Sequence, residues 1–139
     1  MNIPPFALRA IDHVVLRVVD LDRMARFYQD VLGCTEERTQ AEIGLYQLRA
    51  GASLIDLVTV DGKLGAMGGA APGTEGRNLD HFAIAITPFD EPAIRAHLAH
   101  HAVAIEQAGP RYGAEGEGPS IYIADPEGNI VELKGPAFD

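Results

Sequence analysis

The chain is built from short apolar runs of period two and two amphipathic stretches of period 3.6, and their order repeats. From about Ala10 to Val19 the residues alternate, with His13, Val15 and Arg17 on one strand face and Asp12, Val14, Leu16 and Val18 on the other. The stretch DLDRMARFYQDVLG (20–33) then predicts a helix. Asp20 or Asp22 is placed to cap it, Met24, Phe27, Tyr28, Val31 and Leu32 form its apolar stripe, and Gly33 suits a left-handed end. Short strands are expected at 35–40 and 43–50, followed by the β-branched run SLIDLVTV at 53–60.

Residues 61–78, DGKLGAMGGAAPGTEGRN, carry no periodicity and predict a flexible connector. Lys63 is followed by Leu64, with neither the serine or threonine nor the glycine spacing of a phosphate-binding loop. After it the first pattern restarts. NLDHFAIAI (78–86) predicts a strand. FDEPAIRAHLAHHA (89–102) predicts a helix with Asp90 as cap and Pro92 in its first turn. Strands at VAIEQ (103–107), SIYIA (120–124) and IVELK (130–134) follow, the last two joined by the turn DPEGN. The stretch 108–119 between the first two has few apolar residues to pack itself, and is expected to be a mobile lid. Each half therefore reads β-α-β-β-β.

The repeat extends to polar residues. IDHVVLRV (11–18) and LDHFAIAI (79–86) each place Asp-His at the head of a strand, and LIDL (54–57) is matched by IVEL (130–133). A carboxylate inside an apolar strand costs several kcal/mol unless something compensates it. A lone acid would be served by a salt bridge to Arg17 or Arg49. Two histidines and two acids at repeat-related places point instead to a divalent cation, because imidazole and carboxylate together suit Zn, Ni, Co, Mn or Fe(II). Asp12 and Asp80 alternate onto the opposite face and are read as structural. His97 and His101 share a helix face without a third ligand, and histidines near a helix C-terminus are favoured by its dipole in any case. Cys34 follows a helix end and is read as structural.

Composition narrows the classes. The chain has 139 residues, 47% of them hydrophobic, so it can bury a core as a single domain. Its net charge of −9, with no run of Lys or Arg, argues against nucleic acid. With no apolar run of spanning length and no signal-like N-terminus, a cytoplasmic protein without membrane contact is expected. Its single cysteine leaves no pair for an intrachain disulfide.

Together IDHVVLRV, ARFYQDVLG (25–33), LDHFAIAI and DPEGNIVELK (125–134) resemble the vicinal oxygen chelate superfamily, whose members include glyoxalase I, fosfomycin-resistance thiol transferases, extradiol dioxygenases and bleomycin-resistance proteins. The resemblance spans about residues 8–135. It implies an α+β fold of two βαβββ modules whose sheets pair into a curled mixed-sheet cup. Module one covers about 8–61, the connector 62–78 and module two about 79–135. It implies one divalent metal ion per site, held by His13, His81 and Glu132, with Asp56 where glyoxalase I has a glutamate. Aspartate is one methylene shorter, so Asp56 departs from that pattern.

The resemblance also implies a homodimer whose sites can be shared between chains. The reaction it implies is a glyoxalase I-like lyase or isomerase acting on a small molecule through vicinal oxygens, with the metal as Lewis acid toward an enolate-like intermediate. In that scheme Glu132 is the favoured base, for its reach, and Asp56 the second. Arg17, Arg111 and Tyr122 are the candidates for substrate contact. An extradiol dioxygenase would need a histidine near 113–115, where the chain has Gly-Ala-Glu. A fosfomycin-type transferase would need a cation-rich pocket and a potassium loop, neither of which is recognisable. A non-catalytic drug-binding cup would have no use for an intact ligand set.

Overall fold

The computed structural model describes residues 3–139. Its first half runs β1 (His13–Val18), α1 (Leu21–Arg26), β2 (Thr35–Gln40), β3 (Leu45–Ala50) and β4 (Ser53–Thr59). The second half repeats this as β5 (Phe82–Ala85), α2 (Glu91–His100), β6 (Ile105–Gly113), β7 (Gly116–Ala124) and β8 (Ile130–Lys134). The sheets have matching orders, β1-β4-β3-β2 and β5-β8-β7-β6, with β1–β4 and β5–β8 parallel and the other pairs antiparallel. This is the α+β arrangement of two βαβββ units expected from the repeat.

Alternation decides which face is core. Leu16 and Val18 of β1, Leu48 of β3, Ile55 and Leu57 of β4, Ile121 and Ile123 of β7 and Val131 and Leu133 of β8 join Met24, Tyr28 and Leu98 in one buried cluster drawn from both halves. The other face of β1 carries His13, Val15 and Arg17, and Val15 is half exposed. The first helix is capped by Asp20, whose side chain accepts from the Arg23 amide, and not by Asp22. It ends differently from the expected plain α-helix: residues Phe27–Val31 form a π-helical turn that buries Phe27, Tyr28 and Val31. Gly33, at φ 80°, then reverses the chain as its position in the sequence suggests.

The segment 108–119 is a correction to the sequence reading. It is not a mobile loop but the paired ends of β6 and β7, in register Gly109↔Ser120, Arg111↔Gly118 and Gly113↔Gly116. Backbone hydrogen bonds hold it, so it needs no apolar side chains of its own. Pro110 and Pro119 lie opposite each other, which confines both missing donors to one rung of the ladder. Gly116, at φ 112°, supplies the conformation that closes the turn.

Polar bonds join the halves beside the apolar core. The Tyr28 hydroxyl donates to Asp125 at 2.7 Å, and the Glu127 carboxylate accepts from the amides of Val19 at 2.8 Å and Asp20 at 2.7 Å. Asn78 is bonded to both backbone groups of Arg17 and donates to the Asn129 side chain, which fixes the chain just before His81. Asp125 also accepts from the Asn129 side chain and the amides of Glu127 and Asn129. Burial raises its carboxyl above the ordinary range in spite of these four donors.

Replacing Tyr28 by Phe removes one buried bond to a carboxylate and is expected to lower the unfolding free energy by about 1–3 kcal/mol. Asp125→Ala orphans all four donors and should cost more. Urea denaturation of the two variants against the parent protein checks both the loss and its order.

Candidate functional site

His13 is the first residue of β1 and His81 stands one residue before β5. Each therefore enters from the open end of an edge strand, beside the strand that carries its half's carboxylate. In the first half the His13 Nε2 lies 3.9 Å from Asp56 Oδ2; in the second the His81 Nε2 lies 3.3 Å from Glu132 Oε1. The strand carboxylates are buried, with side chains 5% and 7% exposed, whereas the imidazoles are 44% and 37% exposed. The sequence-predicted ligands thus come together as two His–carboxylate pairs, one per half. Among the described residues no three His, Cys, Asp or Glu side chains gather at one point, so the four do not meet within one chain.

The carboxylates are held differently. Glu132 Oε2 accepts from the Ser120 hydroxyl at 2.6 Å, which leaves Oε1 turned toward His81. Burial works to raise its carboxyl, but Ser120, Tyr122 and His81 together outweigh burial and hold it below the ordinary glutamate range. Among the described residues, Asp56 accepts only the Gln47 amide, at 3.2 and 3.3 Å. Neither acid is paired with Arg17 or Arg49. Arg49 instead bonds Glu37.

Strand alternation misplaces two residues. Alternation turns Asp12 and Asp80 away, yet Asp12 Oδ2 lies 2.7 Å from His13 Nδ1 and Asp80 Oδ2 2.6 Å from His81 Nδ1. Both stand at the entry to their strands, just before the first paired residue, although the Asp12 carbonyl already accepts the Leu54 amide at 3.2 Å. The Asp12 hydrogen bond, opposed by slight desolvation and assisted by Asp56, raises the His13 imidazole above its usual value. The repeated Asp-His dipeptide was the available signal for this pair. Nothing in the sequence marked Ser120 or Gln47.

Of the expected substrate contacts, Arg17 is occupied elsewhere. Its guanidinium donates to the carbonyls of Gly65 at 2.9 Å, Gly69 at 2.6 Å and Ala70 at 3.1 Å, so it clasps the connector. The connector is accordingly ordered around a short 3₁₀ turn, Gly65–Gly68. Gly68 lies so close that an added Cβ would stand 2.5 Å from the guanidinium carbon. Arg111 and Tyr122 do gather near the second pair. The Arg111 guanidinium lies 5.4 Å from the centroid of the Tyr122 ring, which is 5.5 Å from the His81 ring. Among the described residues Arg111 meets no carboxylate; it donates to Gln107 and the Pro110 carbonyl. On α2, His97 Nε2 donates to the Val31 carbonyl, which engages it in holding the helix to the first half.

β1 and β5 are the outer strands of their sheets, each with one side unpaired. A largely apolar cleft of about 1100 Å³ is lined from both, by His13 and Val14 on one side and Phe82 and Ile84 on the other, with Ile55 and Leu98 among its other walls. No helix among the described residues is long and apolar enough to cross a membrane.

Residues 10–133 match the sequence model of the Glyoxalase/Bleomycin resistance protein/Dioxygenase superfamily. The chain is 34% identical over 125 residues to virulence protein STM3117 of Salmonella typhimurium, covering 88% of this chain and 81% of that one. The crystal structure of that protein superimposes with a TM-score of 0.77 at 27% identity, over 95% of this chain and all of the other. The fold is shared with a lactoylglutathione lyase from Agrobacterium tumefaciens (TM-score 0.68, 23% identity, 93% and 95% of the two chains). It is shared also with the fosfomycin resistance protein FosX from Listeria monocytogenes (TM-score 0.69, 19% identity, 95% and 97%).

The Arg17 clasp carries its own prediction. Arg17→Ala releases three carbonyls at the surface and should open the connector while the core stays intact. Limited proteolysis is expected to cut within 61–78 faster than in the parent protein. Equal cleavage rates would show that the clasp does not order the connector.

Proposed function

The chain belongs to the Glyoxalase/Bleomycin resistance protein/Dioxygenase superfamily, and from that premise we propose that it is a metal-dependent enzyme of the glyoxalase I-like lyase or isomerase type. The observation that carries this reading is the direction of the two imidazoles. In each half the neighbouring aspartate takes Nδ1, and Nε2 is left facing a buried strand carboxylate. A carboxylate only accepts, so a neutral ring whose Nδ1 carries the proton sets two electron-rich atoms against each other. A cation between them resolves that conflict, and nitrogen with oxygen donors fits Zn, Ni, Co, Mn or Fe(II).

His13, His81 and Glu132 would hold the ion, with Asp56 beside it. Bound there, a divalent ion supplies Lewis acidity toward the vicinal oxygens of a small substrate. Because one chain holds its pairs apart, a homodimer that sets the first pair of one chain against the second pair of the other completes the site. The unpaired edges of β1 and β5 and the apolar cleft along them support this arrangement.

The roles of the acids follow from how they are held. Ser120 and Tyr122 keep Glu132 ionised and aimed, which suits a ligand. Asp56, with only long contacts from Gln47, is the freer carboxylate to take a proton from the carbon next to a substrate carbonyl and return it. This reverses the order expected from side-chain reach alone. Arg111, over the Tyr122 ring and without a carboxylate partner among the described residues, stands where it can meet a negative group on the substrate.

Elemental analysis of protein purified without chelators checks the central step. About one divalent ion per chain is expected, lost in His81→Ala and in Glu132→Gln, and retained in Asp56→Asn. Protein that binds no divalent ion, with stability indifferent to added metal, would instead favour a non-catalytic binding cup.

A further inference from the structure

We propose that Asp12 and Asp80 are positioning residues that set the affinity of His13 and His81 for a divalent ion. This inference rests on the metal reading above. Each aspartate lies within hydrogen-bond reach of an Nδ1, at 2.7 Å for Asp12 and 2.6 Å for Asp80. An ionised carboxylate has no proton to give, so the ring must donate from Nδ1. In the neutral imidazole that fixes the tautomer, and Nε2 becomes the bare nitrogen. It is also the nitrogen turned toward Asp56 in one half and Glu132 in the other. One contact therefore settles both which atom is available to ligate and where the ring points.

Packing gives no other reason for the contact. The side chains of Asp12 and Asp80 are 89% and 78% exposed, so neither fills space in the core. Asp80 has a second partner in Arg77 at 3.2 Å, and Asp12 has none among the side-chain bonds of the described residues. Yet the same Asp–His geometry occurs at corresponding places in both halves, although the neighbouring residues differ. A carboxylate behind a ligating imidazole fixes the ring and makes its free nitrogen a better donor, and losing such a partner typically weakens metal binding by about 10–100-fold.

The test is titration of the metal-free protein with Co²⁺, followed by its visible absorption and by calorimetry, on wild type, Asp12→Ala, Asp80→Ala, the two Asn variants and His81→Ala. Each alanine variant should bind Co²⁺ about 10–100-fold more weakly than wild type. The asparagine variants should fall between, because a carboxamide oxygen still accepts from Nδ1 but lacks the charge. The thermal midpoint of the metal-free protein should stay at the wild-type value in all four. Wild-type affinity in the alanine variants, with binding abolished in His81→Ala, overturns this inference and leaves the metal reading standing. A metal-free midpoint that falls in step with affinity also overturns it, since the aspartates would then serve the fold. Wild type that binds no Co²⁺ overturns both readings.

Discussion

A carboxylate buried on a strand, with an imidazole nitrogen turned toward it, is the constraint around which each half is arranged. Asp56 and Glu132 are among the few charged side chains buried in this protein. Left ionised and uncompensated, each would cost several kcal/mol, comparable with the net stability of a small domain. The fold answers in a graded way. Glu132 receives a short bond from Ser120, whereas Asp56 receives long ones from Gln47. Glu132 turns its other oxygen to the His81 Nε2, whereas the Asp56 oxygen that lies 3.9 Å from the His13 Nε2 is shared with Gln47. Two halves that differ in most of their residues share this geometry.

The rest of the architecture keeps the two heads of that geometry in place. Parallel pairing of β1 with β4 and of β5 with β8 brings the start of one strand beside the acid-bearing strand, in registers Val15↔Asp56 and Ala83↔Glu132. Asn78 ties the chain before His81 to β1 and to Asn129, and Tyr28 and Glu127 bind the first half to the turn that leads into β8. The sheets stay separate within the chain. Each His–carboxylate pair thus stands beside an edge strand of its own sheet.

Much of this was legible in the sequence because it is periodic or repeated. Two-residue alternation separated the two faces of β1, the β-branched run marked β4, the amphipathic stripe marked the first helix, and the recurrence of Asp-His and of an acid between aliphatics marked the two halves. What failed depended on information that alternation does not carry. The segment 108–119 looked like a loop because it lacks apolar residues, but its order comes from backbone pairing, and glycines and prolines suited a hairpin whose partner strand was not apparent. Arg17 shares a face with His13, yet its length lets it reach carbonyls of the connector. Alternation places Asp12 and Asp80 on the far face, but a carboxylate directly before a histidine reaches its Nδ1 at a strand entry in both halves. Ser120 lies twelve residues before its partner Glu132, and only the β7–β8 register brings the two together.

The claim that the two His–carboxylate pairs are halves of one metal centre is tested most directly by anomalous diffraction at the cobalt edge, from crystals grown with Co²⁺. The account predicts one strong peak per chain, bounded by His13 from one chain and by His81 and Glu132 from the other. A peak ligated within a single chain would contradict the shared site, and no peak near either histidine would contradict the metal centre itself.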